Sequence, residues 1–389
     1  MRLLFDARYT RPGRHDGISR YGASLLAATA DLAAEDPGLE LAMLVSDRRQ
    51  LAMLPDLPHV SGPSPVSAAE AATALVVNRY APDVVYSPMQ TMGSVGRRHG
   101  LILTLHDLIY YDHPQPPGDL PAAVRAGWRL YHRAWWPQRL LLDRADAVVT
   151  VSRTTRALIA EHRLTRRPVH VVPNAPRPGS VVDPQAALER PARPDRVLLY
   201  MGSFLPYKNV ETLLRVAGRL PDHELHLLSG ISPARRAELE SLVPAGARVV
   251  FHDGVSEARY TELLGRAAAL LTASRAEGYG LPVVEALAAG TPVVCSDLPI
   301  FREVAGEAAS FVAPDDDAGF AAAVRALEDP AHRRRQVLAG LDRARAWSWT
   351  DSATALLEVA RGVHGRRRNA HGRHPAVPVD VPADEDVRP

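Results

Sequence analysis

A chain of 389 residues, 46% hydrophobic and 23% charged, carries enough apolar side chain for more than one core and too little charge bias to be disordered throughout. A net charge of +2 gives no case for nucleic acid as a partner, and no stretch approaches the roughly 18 apolar residues of a membrane span. The single cysteine, Cys295, lies in an apolar run and has no internal partner. With an acid as early as Asp6, this predicts a cytoplasmic protein in a reducing compartment, and leaves open peripheral contact with the inner face of the plasma membrane.

In chain order, residues 3–5 read as a short buried strand. A Gly-containing loop from Tyr9 to Gly17 follows, then a helix over 19–34, closed by Asp36-Pro37-Gly38. Apolar runs at 41–45, 84–86, 101–105, 147–151 and 169–172 alternate with helical stretches over 68–79 and 122–144. Short buried strands between amphipathic helices predict a parallel sheet covered on both faces. A second alternation starts at Val197-Leu198-Leu199-Tyr200. It has strands at 225–228, 249–251, 270–271 and 293–295, and helices over 210–219, 233–242, 258–268, 282–289 and 319–328. The fold class is therefore α/β with two doubly wound domains. The first domain is assigned to 1–178, a Pro-rich linker to 179–195, the second domain to 196–346 and a C-terminal helix to 347–364. Residues 365–389 have few large apolar side chains and are expected to be a disordered tail.

The densest local signal is Glu277-Gly278-Tyr279-Gly280-Leu281-Pro282, followed by a helical pattern through Glu285 to Gly290. Pro282 suits a helix start and Gly290 its end. The turn before Pro282 thus lies at a helix N-terminus, where free N–H groups and the dipole favour an anion, and Gly278 and Gly280 let a ligand approach the backbone. Glu277 and Glu285 flank that site. Two carboxylates accept hydroxyl protons and repel phosphate, which fits a sugar and a ribose on either side of a diphosphate better than a bare nucleotide. On spacing alone a cap acid and a solvated helix acid remain an equal reading.

Lys208 is the only lysine among 46 basic residues, and it lies in Met201-Gly202-Ser203-Phe204-Leu205-Pro206-Tyr207-Lys208-Asn209, a strand-to-helix connection. Ligands of such sheets bind beyond the carboxyl ends of strands, and a compact ammonium suits a phosphate oxygen. His106-Asp107 follows the strand at 101–105 in the same way, although on its own the pair reads more simply as a structural His and a capping Asp, and Gly17 before the first helix also reads as a turn glycine. No acidic pair follows a strand to hold a divalent ion, and no nucleophile elbow or Walker loop occurs. Asp315-Asp316-Asp317 reads as a helix cap.

Together these segments resemble the retaining glycosyltransferases of family 4, which have the GT-B fold, and in particular its mannosyltransferase-like members. The resemblance runs from Met1 to about Gly362. It rests on Asp16-Gly17-Ile18-Ser19-Arg20-Tyr21, Thr104-Leu105-His106-Asp107-Leu108, Val151-Ser152-Arg153, Val171-Val172-Pro173-Asn174, residues 202–209, and the Glu-x7-Glu motif within 277–290. It implies an acceptor-side first domain, a second domain that binds a nucleotide diphosphate sugar, and a crossover by the 347–364 helix back onto the first domain.

Lys208, Glu277 and His106 are the implied catalytic residues: Lys208 on the leaving diphosphate, Glu277 on the transferred sugar, His106 beside it. Glu285 would hold the ribose. Gly17, Gly202, Ser203 and Gly278, with the backbone of Tyr279, Gly280 and Leu281, would surround the diphosphate and sugar. The base would lie near His252 to Val255, including Gly254. Members generally need no metal. Many have arginine where Tyr207 stands, and others near Ser203, so either Lys208 works with one cation less, or Arg275 or an arginine from the first domain assists it.

GDP-mannose is the favoured donor, with UDP- and dTDP-sugars also compatible, and the acceptor a glycan, lipid-linked or small-molecule hydroxyl. The Trp- and Arg-rich stretch 125–144 reads first as aromatic core contacts with a solvated Arg face, and second as an interfacial helix that contacts anionic lipid. The competing readings are a GT-B nucleotide-sugar epimerase or glycosyl phosphorylase, and a catalytically silent nucleotide-sugar-binding subunit.

Overall fold

A computed structural model describes residues 1–13, 16–115, 122–189 and 196–371. Among them are two parallel sheets. In the first, β1 (Arg2–Asp6), β2 (Glu40–Val45), β3 (His59–Ser61), β4 (Val84–Ser87), β5 (Gly100–Leu105), β6 (Ala147–Thr150) and β7 (Val169–Val171) lie in the order 3-2-1-4-5-6-7. In the second, β8 (Val197–Tyr200), β9 (Glu224–Leu227), β10 (Arg248–Phe251), β11 (Ala269–Thr272), β12 (Val293–Ser296) and β13 (Ala309–Val312) lie in the order 10-9-8-11-12-13. Both are doubly wound, as expected from the alternation of runs. The strand order reverses between β1 and β4 and between β8 and β11, the positions where such sheets open a crevice for ligands.

The central strands β5, β6, β11 and β12 are buried along their whole length, because helices cover both faces. β3 and β13, two strands that apolar patterning does not pick out, are sheet edges with half-exposed side chains, and an edge needs less burial. One apolar cluster runs from Leu3, Phe5 and Leu25 through Tyr21, Trp349 and Tyr279 to Val284 and Val293, so the domains share a core behind the cleft.

Several expectations need correction. The stretch 68–79 is not one helix. It is a 3-10 turn (Ala68–Ala72), a short α-helix (Thr73–Val77) and a second 3-10 turn (Asn78–Tyr80). The stretch 122–144 is two helices, Ala122–Tyr131 and Trp136–Asp143, because Pro137 has no N–H and its ring would clash with the carbonyl four residues earlier. The assigned linker is partly packed on the second domain. Its Asp183-capped turn Pro184–Leu188 sets Ala187 against Val337 and Leu341, and Val182 N–H donates to the Ala288 carbonyl at 2.9 Å.

Residues 365–371, assigned to the tail, are helical. The C-terminal helix runs from Trp349 to His371 along the helix Gly17–Glu35. Arg367 holds it to the first domain through the Arg98 carbonyl (3.1 Å) and Asp146 (3.7 Å), while Val363 is fully buried. Composition alone misses this, because a helix with one apolar stripe needs few large residues. The rest of the expected tail, 372–389, lies outside the described residues.

Candidate active site

The segments after β1 and β5 face those after β8, β10 and β11. The loop after β1 is pinned by Arg8, buried and paired with Asp6 (2.8 Å) and Glu70 (2.5 Å), and by the Gln50 amide, which donates to the Arg8 and Thr10 carbonyls. It delivers Asp16 as the cap of the helix that starts at Gly17, with Asp16 Oδ1 accepting from Ser19 N–H at 2.8 Å.

In the second domain, Tyr200 donates to the Ser203 carbonyl (2.5 Å) and Gly202 N–H donates to Ser229 Oγ (3.0 Å), which fixes the turn after β8. Asn209, at φ +53°, ties that turn to the Ala273 and Pro314 carbonyls at 3.0 and 2.8 Å. Lys208 then points at the loop after β11, where its Nζ lies 2.5 Å from Glu277 Oε2. Both side chains are largely buried. The Tyr207 ring packs 5.3 Å from the ammonium and stacks on His113 of the first domain. Where the family pattern has arginine, this chain thus carries an aromatic contact across the cleft. Arg275 pairs instead with Asp315 at 2.6 Å, on the exposed side.

Gly280, at φ +92°, is the N-cap of the helix Leu281–Ala288, and a Cβ there would stand 2.7 Å from Phe301, so no other residue fits without a shift. Among the described residues, the N–H groups of Tyr279, Gly280 and Leu281 have no acceptor, the condition under which a helix start binds an anion. The Tyr279 side chain goes elsewhere: its hydroxyl donates to the Asn174 carbonyl at 2.6 Å. Gly278 is explained by the protein rather than by a ligand, since a Cβ there would lie 2.6 Å from Asp107 Oδ2.

The first domain places His106 with its Nε2 2.8 Å from the Pro88 carbonyl. A carbonyl only accepts, so Nε2 carries the proton. Burial pulls the ring's pKa down and keeps it neutral. Asp107, next to it, has its pKa raised by burial and by Glu277, against the pull of Lys208. Glu285 is buried and raised for the same first reason, with Arg20 opposing through an ion pair of 2.6 Å. Gly254 (φ +99°) and Gly230 lie side by side at the ends of β10 and β9, beside His252, whose Nε2 is 3.0 Å from His226 Nδ1, and Val255 packs beneath on the core.

The sequence-derived residues therefore gather along one cleft, with Lys208 and Glu277 in contact, Glu285 one turn into the helix that follows, and His106-Asp107 opposite. Sequence reasoning gave no role to Arg20, Asp107, Asn174 or Glu303. Glu303 reaches from the second domain to cap the helix Arg153–Glu161, accepting from the N–H groups of Arg153 and Thr154 at 2.7 Å each. This explains Val151-Ser152-Arg153 as a domain contact. Such residues carry no local signal, because their partners lie far along the chain.

Comparison with known proteins gives the family of both domains. Residues 17–175 match the family described as "Glycosyl transferase 4-like domain", and residues 186–340 match "Glycosyl transferases group 1". The chain belongs to the family 4-like GT-B glycosyltransferases. Among curated relatives it is 32% identical to O-antigen chain mannosyltransferase B of Escherichia coli over 41% of this chain and 44% of the relative. It is 29% identical to the MMP alpha-(1->4)-mannosyltransferase of Mycolicibacterium hassiacum over 67% and 64%. The aligned parts are thus less than two thirds of those relatives' length.

Among solved structures, sucrose-phosphate synthase from Thermosynechococcus elongatus superposes with a TM-score of 0.71 at 20% identity, covering 94% of this chain and 99% of that one. Anabaena HepE in complex with UDP and glucose gives 0.68 at 16% identity, over 94% and 100%. At these identities the likeness establishes the GT-B fold.

Proposed function

We propose that this glycosyltransferase moves a hexose, mannose in the favoured case, from a nucleoside-diphosphate sugar to an acceptor hydroxyl with retention at the anomeric carbon. The observation that carries the reading is the contact of Lys208 with Glu277 beside the open N–H groups at Gly280 and Leu281. It sets a cation and a helix N-terminus where a diphosphate would leave, and an acid where the sugar's hydroxyls would lie. The mannosyltransferase relatives support mannose, and hence GDP-mannose.

In the proposed reaction the bond from the anomeric carbon to the β-phosphate oxygen breaks, and its electron pair goes to the diphosphate. Lys208 and the helix start stabilise the growing charge. The acceptor oxygen bonds to the anomeric carbon on the same face, and its proton passes to the departing diphosphate. His106, kept neutral by burial, and Asp107, whose pKa burial raises, line the opposite wall. Lys208 supplies the positive charge that a metal gives in other transferases, so we expect turnover to survive a chelator.

Thermal-shift screening against GDP, UDP and dTDP, followed by turnover with the matching sugar donors and NMR of the product anomer, tests the proposal. Stabilisation by none of the three, or an inverted product, would end it. No described helix is long and apolar enough to cross a membrane. The helices Ala122–Tyr131 and Trp136–Asp143 expose Leu130, Trp136 and Leu140 among arginines, which supports peripheral docking on anionic lipid for a lipid-linked acceptor. Flotation with anionic and neutral vesicles checks this.

A further inference from the structure

Arg20 lies one turn into the helix Gly17–Glu35, and its guanidinium reaches across the cleft to two acids of the second domain. One nitrogen is 2.6 Å from Glu285 Oε1, and the other meets Glu257. Arg177 holds the other oxygen of Glu257. The two acids differ: Glu257 is 58% exposed, Glu285 only 9%. A buried carboxylate needs a partner to stay charged, and here the partner comes from the opposite domain. The groups facing Glu285 are Arg20, Arg177, Glu257 and the buried Tyr260 phenol.

We propose that Arg20 is a positioning residue for the donor nucleotide, acting through Glu285: it pairs with the carboxylate from the facing domain and keeps it charged and oriented to accept the ribose hydroxyls, so the nucleotide subsite draws on both domains. The inference rests on the donor reading above. An ionised carboxylate accepts both protons of a ribose diol, whereas a neutral one must donate its own. Burial pushes Glu285 toward the neutral form, and Arg20 is the first group opposing it. The planar fork of Arg20 also spans both acids, which an ammonium cannot do. The two helix starts lie close, since a Cβ on Gly17 would stand 3.9 Å from Leu281 Cδ1. Arg20 and Glu285 follow one turn behind each.

The test is titration calorimetry of the full chain with GDP and with UDP, between about pH 6 and pH 8, on the wild type, Arg20→Gln, Arg20→Lys, Glu285→Gln and Arg20→Gln/Glu285→Gln, with melting temperature as a control for folding. Arg20→Gln should weaken binding about tenfold or more, and the deficit should grow as the pH falls. Arg20→Lys should recover the wild-type pH profile with intermediate affinity. In the Glu285→Gln background, Arg20→Gln should add less than about twofold. Equal or tighter binding by Arg20→Gln, or the same loss with and without Glu285, would overturn the role of Arg20 alone. A wild type that binds neither nucleotide would overturn the donor reading and this inference with it.

Discussion

Lys208 Nζ lies 2.5 Å from Glu277 Oε2, so the chain's one lysine and the first acid of its Glu-x7-Glu motif form a single unit, held by loops from two different strands. Replacing either by Ala should lower kcat by about a hundredfold to a thousandfold, the usual cost of one preorganised stabiliser of developing charge. The double variant should lose far less than the product of the two, because each side chain orients the other. Steady-state kinetics beside thermal melts would show the loss without unfolding.

Three glycines of the site should separate by mechanism. Gly17→Ala meets only ordinary contact at Leu281 and sits at a helix start, so it should keep or raise the melting temperature while weakening donor use. Gly280→Ala meets both a positive φ and Phe301, and should cost about 1–3 kcal/mol of stability. Gly278→Ala presses on Asp107 of the other domain and should lower kcat/KM by disturbing closure more than stability. Melts and donor titrations on the three variants check the order.

Acidification should lower kcat/KM through a group that titrates above the ordinary Glu value of 4.5, because burial raises Glu285 and that carboxylate must be charged to accept hydroxyls. Activity is then lost as pH falls through the raised folded value. Stability moves the other way. A carboxyl whose pKa is higher in the folded state favours folding when protonated, so this group should not lower the melting temperature over the same window. No limb from His106 is expected near its ordinary 6.5, since burial lowers it. A pH profile of kcat/KM with parallel melts decides the point.

The C-terminal helix should stabilise the first domain through its last two turns. Truncation after His364 removes Arg367 and its contacts with the Arg98 carbonyl and Asp146, and should lower the melting temperature relative to truncation after His371. Trp349→Ala should cost about 3–5 kcal/mol, since that ring packs near Tyr21 and donates to the Pro176 carbonyl at 2.9 Å.

The sequence by itself determined the two doubly wound domains, because strands covered on both faces must be continuously apolar and the helices between them must repeat near 3.6 residues. It also exposed Lys208, Glu277 and Glu285, since a lone lysine and a Glu-x7-Glu spacing around a helix start are local patterns. Edge strands such as β3 left no trace, and neither did the helical break at Pro137 until its place on the turn was known.

Only the tertiary structure decided what joins the halves. Arg20 with Glu285, Asp107 with Gly278, Glu303 with the helix start at Arg153, and Tyr207 with His113 are pairs whose partners lie 94 to 265 residues apart in the chain. Apolar periodicity reports which face of an element is buried. It holds no information on which charged group will meet another once two separately wound sheets close on each other.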